Sequence, residues 1–160
     1  MPSWAYAITP ATDVAGLAPD ALTPLSAVVP KDLALDDSGD LALREENGVK
    51  VAYLVGGADA IVQRLRIRFG FWLGTWFLDL NQGIPYIEQI LIKNPDLRLI
   101  ENIFKKVILG TNGIRRINDF ATSWDRPGRK LYVERFDAGL VDGTVLRLTE
   151  TPFVVKAIDG

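Results

Sequence analysis

The most regular hydrophobic pattern in the chain follows Gly56-Gly57. There Ile61, Val62, Leu65, Phe69 and Trp72 recur at helical spacing, and Arg64 and Arg68 form a second, charged stripe. The spacing predicts a helix with Asp59 in its first turn, where a carboxylate suits the helix dipole, ending at Gly74. A short extended run, Trp76-Phe77-Leu78, and a turn at Asn81-Gln82-Gly83 come next. Pro85 stands at a first helical position, which predicts a short helix over Ile84 to Ile92. Asn94 reads as the cap of a further helix, with Pro95 at its first position. That helix places Leu97, Ile100, Phe104, Val107 and Ile108 on one face and stops at Gly110.

Beyond Gly110 the period changes. Ile117 to Trp124 and Lys130 to Phe136 read as strands joined by the turn Asp125-Arg126-Pro127-Gly128, and a third strand runs from Thr144 to Phe153. Alternation in the first strand is broken, which leaves a bulge or a late start open. Upstream, Leu33 and Leu35 alternate, as do Leu41 and Leu43, around Asp36-Asp37-Ser38-Gly39-Asp40, which reads as a short hairpin. This acidic turn lacks the spacing and terminal Glu of a calcium-binding EF-hand loop. Residues 1–30 carry five of the nine prolines, too dense for a helix or a central strand. They read as an extended proline-rich N-terminal arm, apolar enough through Trp4, Tyr6, Ile8, Leu17, Leu22, Leu25, Val28 and Val29 to lie along a partner or along its own domain. The pattern is α+β: two to three helices packed on a small antiparallel sheet, with residues 31–160 forming one domain.

Composition narrows the chemistry. At 160 residues the chain supports one full core. With no Cys there is no disulfide framework or thiolate metal site, and with no His there is no Ser-His-Asp arrangement, His-ligated zinc or His general base. No run of about 18 apolar residues marks a membrane span, and the first residues lack the basic start and apolar stretch of a secretion signal. The net charge of −2 hides an asymmetry: residues 1–60 hold three basic and nine acidic side chains, whereas residues 61–136 hold thirteen and seven. A basic central part that meets an acidic protein surface is one reading, and a solvated surface with local bias is the other. Nucleic acid is not expected, because the basic residues are scattered among apolar positions without a groove-reading motif.

Residues 63–86 are the most specific stretch. They include Gln63-Arg64, then Gly74, Trp76, Phe77, Leu78 and Asp79, then Gly83-Ile84-Pro85-Tyr86. This resembles the sheath-initiator family of baseplate-wedge proteins of Mu-like and other contractile phage tails, with equivalents in type VI secretion and pyocin-like particles. That family's pattern is a Gln-Arg-bearing helix, then Gly-Glu-Trp-Phe-Leu-Asp, then Gly-Val/Ile-Pro-Tyr. Leu33 to Leu41 is similar to the family's opening and Ile108 to Ile114 to its helix exit, so the likeness spans roughly residues 31–136. Two departures stand out: Thr75 replaces the family's Glu, and Thr111-Asn112-Gly113 replaces the Glu-Pro-Arg of some members.

The resemblance implies a structural component of a baseplate wedge, not an enzyme and without a cofactor. Such a component links the wedge to the first sheath ring and starts sheath polymerisation by accepting sheath strands. It implies as partners the tail sheath subunit and wedge proteins, with tube or hub proteins as further neighbours. Six copies or a multiple would form a ring in a virion assembled in the host cytoplasm. Candidate wedge contacts are Arg64, Arg68, Trp72, Trp76 and Tyr86; the aromatics read first as core, and Arg64, Arg66 and Arg68 equally as a solvated face. Candidate sheath contacts are Arg115, Arg116, Trp124, Tyr132, Leu146 and Leu148 on the strands, where Arg115 and Arg116 also suit edge-guarding charge. One alternative is a lysozyme-like, muralytic glycoside hydrolase of the baseplate, which needs two flanking carboxylates from Asp79, Glu88 and Glu101, with Thr75 removing the obvious partner. The other is a standalone protein-binding adaptor.

Overall fold

A computed structural model describes residues 6–10, 22–148 and 153–156. Two helices lie against a five-stranded antiparallel sheet, with two small hairpin-like sheets at the side.

Helix α2 (Gly57–Phe69) buries Ile61, Leu65 and Phe69 along one stripe, four residues apart. It ends at Phe69 with Gly70 as its cap, one turn before the Gly74 stop that the apolar period predicts. The reason is tertiary: Trp72 leaves the helix to form a parallel bridge with Ile84. Leu73 N–H donates to the Ile84 carbonyl at 2.9 Å and Ile84 N–H to the Phe71 carbonyl at 2.8 Å. The predicted short helix over Ile84 to Ile92 is a single wide turn of π type, Tyr86–Ile90.

Helix α3 (Leu97–Leu109) buries Ile100, Phe104 and Ile108. Its cap is Asp96, not Asn94: the Asp96 carboxylate accepts from the backbone N–H groups of Arg98 at 2.9 Å and Leu99 at 3.3 Å. Leu97, assigned to the apolar face by period alone, is exposed.

The sheet is built on the hairpin of β6 (Ile114–Asp125) and β7 (Lys130–Leu140). Register shifts at Ile114/Arg116, Ile117/Asp119 and Ala121/Thr122 interrupt their pairing and account for the broken alternation of the first strand. The far side of β7 is paired by two strands in turn, β8 (Thr144–Leu148) and β9 (Phe153–Lys156), in place of the single predicted strand. Between Asp137↔Arg147 and Val133↔Phe153, four steps along β7 answer six along the other chain segment, so the register shifts by two. Strand β1 (Tyr6–Pro10) pairs antiparallel with the outer side of β8. The order is β1-β8-β7-β6, with β9 beside β7 in line with β8.

A short helix α1 (Leu25–Val28) leads into the side sheets. The acidic turn forms, with Leu35 and Leu41 bridged across it. Its flanks do not continue as one hairpin: β2 (Asp32–Leu33) pairs with β5 (Leu54–Val55), and β3 (Leu43–Glu46) with β4 (Val49–Ala52). The β3–β4 turn is Asn47-Gly48, both at positive φ (51° and 78°), the hairpin chemistry that this dipeptide favours.

Phe104 joins the layers. Its ring lies 5.1 Å from Phe69, 6.3 Å from Tyr86 and 6.1 Å from Phe120 on the sheet. Around it Leu131, Val133, Phe136, Ala138, Leu140 and Leu146 close the core.

Candidate interaction surfaces

The segment between α2 and α3 carries the family-like motif and sets up one surface. The backbone around Trp72 is clamped against Ile84, which throws residues 74–82 outward as a loop. Thr75, where the resemblance expects Glu, donates its hydroxyl proton to the Trp72 carbonyl at 2.7 Å and closes the turn after Gly74. Asp79 Oδ1 accepts from Asn81 N–H at 3.0 Å and shapes the next turn. The loop then displays Phe77 (83% exposed), Leu78 and Leu80; Ile67 and Ile87 are exposed as well. Beside it lies an open groove of about 750 Å³, lined by apolar residues such as Phe71, Trp76 and Ile103, by the cations Arg68 and Lys106, and by one carboxylate, Asp79.

The five wedge candidates occupy different parts of this region. Trp76 is partly exposed, sits edge-on to Phe71 at 6.3 Å and lines the groove. Trp72 is half-buried against Tyr86 at 5.4 Å. Tyr86 is in the core, where its hydroxyl donates to the Phe69 carbonyl and burial pushes its pKa far up. Of the two readings open for it, core or docking surface, its position is core. Arg68 lines the groove while donating to the Val107 carbonyl and to Thr111 Oγ1, both at 3.1 Å. Arg64 points elsewhere, pairing with Asp32 at 2.6 Å and donating to the Pro30 carbonyl at 2.9 Å, so it ties α2 to β2 and the residues just before it.

Thr111 and Gly113, at the other departure from the family pattern, have internal work. Buried Thr111 donates to the Val107 carbonyl at 3.0 Å and closes the end of α3. Gly113 has φ +95°, and a Cβ there would lie 2.6 Å from Val29 and 2.7 Å from Ile61.

The sheet offers the second surface. Among the described residues no strand lies beyond β6, so its outer edge is unpaired along twelve residues. Arg115 and Arg116 are exposed on that strand and make no ion pair among the described residues. At the strand's other end Trp124 is half-buried, and its indole N–H is buried without a hydrogen-bond partner among the described residues. Tyr132, half-buried on β7, stands opposite Ser123 on one side and Val154 on the other. Leu146 is fully buried in the core, and Leu148 is half-buried opposite Tyr6 of β1. The sheath candidates are therefore spread over three strands and do not form one patch.

The carboxylates considered for hydrolysis are dispersed in their roles. Asp79 caps its turn, Glu88 is exposed, and Glu101 lies 3.7 Å from Lys105 and accepts from Thr122 at 3.4 Å. Among the described residues no cluster of three or more acidic side chains is placed to hold a metal ion. No helix there is long and apolar enough to cross a membrane.

The residues that sequence reasoning passed over are Phe77, Leu78, Leu80, Ile67 and Ile87 as exposed apolar surface. A signal existed: Trp76 to Leu80 is apolar except for Asp79 yet follows neither a helical nor a strand period, and turn residues bound it on both sides.

The sequence model of a protein family described as contractile injection system sheath initiator matches residues 31–137. No curated protein matches the chain.

Proposed function

Because the chain belongs to the contractile injection system sheath initiator family, we propose that it joins a baseplate wedge to the first ring of sheath and starts polymerisation by accepting extended sheath segments on its sheet. The observation that carries this reading is the incomplete sheet. One side ends at β6 with no further strand among the described residues, and on the other only the five-residue β1 lies beyond β8. Unpaired N–H and C=O groups along a sheet edge are satisfied by an incoming strand, which gives affinity through main-chain bonds.

The wedge meets the helical side, through the Phe77–Leu80 loop and the groove between α2 and α3. Exposed Phe77 and Leu78 supply apolar contact area, and Arg68 and Lys106 favour a partner segment that carries carboxylates beside apolar residues. In the particle six copies, or a multiple, form a ring, each with one surface toward the wedge and another toward the sheath. Residues 1–30 act as an arm on the domain formed by residues 31–160. The protein is a non-enzymatic part of a phage virion, assembled in the host cytoplasm; the internal engagement of Asp79 and Glu101 supports a structural role over muralytic chemistry.

Baseplates lacking the chain, supplied with cognate sheath subunit, should assemble sheath only after the purified chain is added back. Sheath that grows on the deficient baseplates at the same rate would refute the proposal.

A further inference from the structure

The two sides of the sheet are not equivalent as templates. Pairing of β6 with β7 is interrupted by three register shifts, and bulges of this kind break the regular row of donors and acceptors along an edge. The outer edge of β8 is regular. It already holds an antiparallel strand through five consecutive pairs, Tyr6↔Leu148 to Pro10↔Thr144, without a shift.

That strand is lightly held. Tyr6 and Ala7 are half-buried, while Ile8, Thr9 and Pro10 are exposed, so β1 contributes little side-chain burial beyond the Tyr6 ring and its hydroxyl contact to Asp59. Among the described residues the next contacts are at Thr23, whose N–H donates to the Val141 carbonyl at 3.0 Å, and at Val29, which is buried in the core. Twelve residues lie between Pro10 and Thr23, a length of chain that can span roughly 45 Å. Strand β1 can therefore leave β8 while the helices, the side sheets and the remaining sheet keep their contacts. An incoming strand of the same polarity restores every main-chain bond that β1 gives up, so side chains decide the exchange.

We infer that the outer edge of β8 is the docking edge for an extended sheath segment running antiparallel to it, and that β1 is a resident strand that this segment displaces. The inference rests on the strand-acceptor reading above and names the edge it uses. The incoming segment needs five or more residues with apolar side chains opposite Leu146 and Leu148. Until it arrives, β1 shields Thr144–Leu148 from edge-to-edge association with other chains.

A covalent lock tests the exchange, and the chain has no native Cys to interfere. Ala7 and Arg147 are directly opposite. Cα atoms in such a pair are about 4.5–5.5 Å apart, within the span of a disulfide. The full-length A7C/R147C protein, oxidised and reduced, is compared with wild type and with a chain lacking residues 1–10 for binding of purified cognate sheath subunit. Reduced protein corrects for loss of the Arg147–Asp137 ion pair. The inference requires that the oxidised form lose sheath binding, that reduction restore it, and that the truncated chain bind at least as tightly as wild type. If oxidised and reduced forms bind alike, β8 is not the docking edge, while the strand-acceptor reading stands through β6. If none of the four binds sheath, the proposed function itself fails.

Discussion

Replacing Gly83 with alanine should destabilise the protein far more than the same change at Gly74. Both glycines have positive φ, +113° and +77°. An L side chain in that region costs about 1–2 kcal/mol in either case. Around Gly74 there is open space, whereas a Cβ on Gly83 would lie 2.5 Å from the Trp72 carbonyl carbon, 2.6 Å from Leu73 N and 2.7 Å from the Trp72 oxygen. Those atoms are backbone and cannot rotate away. Either the overlap is borne as strain, or the two segments part and lose the Leu73–Ile84 and Ile84–Phe71 hydrogen bonds, at about 1 kcal/mol each. Gly83→Ala should therefore cost about 3–4 kcal/mol and Gly74→Ala about 1–2 kcal/mol. That is a large share of the roughly 5–15 kcal/mol that holds a typical domain. For a chain of this size the Gly83 variant should melt about 10 °C lower. Urea denaturation of the two variants beside wild type measures the difference. Equal losses, within about 0.5 kcal/mol, would show that the Trp72–Ile84 clamp does not shape the loop as described.

Phe77→Asp should leave stability within about 0.5 kcal/mol of wild type, because the side chain is 83% exposed, yet abolish co-purification with wedge proteins; unchanged wedge binding would remove this loop from the interface. Asp96→Ala should cost about 1 kcal/mol in urea titration and Asn94→Ala almost nothing, the reverse of what a cap at Asn94 demands. The Tyr6 pKa is pushed up to about 12, first by burial and then by the hydrogen bond to Asp59 and that carboxylate's charge. Because the folded value exceeds the ordinary 10, the contact stabilises β1 fully below pH 10 and is lost as pH rises through 12. Subtracting the phenolate absorbance titration of Tyr6→Phe from that of wild type should leave one transition near pH 12; a transition near 10 would contradict the docked Tyr6.

Much of the architecture is legible along the chain because it depends on local periodicity. The four-residue spacing of Ile61, Leu65 and Phe69, and of Ile100, Phe104 and Ile108, marks both principal helices and their inner faces. The turn at Asp125 to Gly128 marks the long hairpin, and the block from Gly74 to Tyr86 carries the family resemblance, which the match over residues 31–137 bears out. The β3–β4 hairpin was equally available in Asn47-Gly48, a local signal overlooked because its strands are short and exposed. Other features depend on groups that are far apart in sequence. Trp72 fits the helical period, but its backbone is captured by Ile84, so α2 stops early. Tyr86 and Trp76 are both aromatic residues of one motif. Only packing against Phe69 and Phe104 decides that the first is core and the second surface. The pairing of Tyr6–Pro10 with Thr144–Leu148 has no local signature at all. A strand's main-chain bonds accept any sequence of suitable shape, so its neighbour is set by where the rest of the fold leaves an edge.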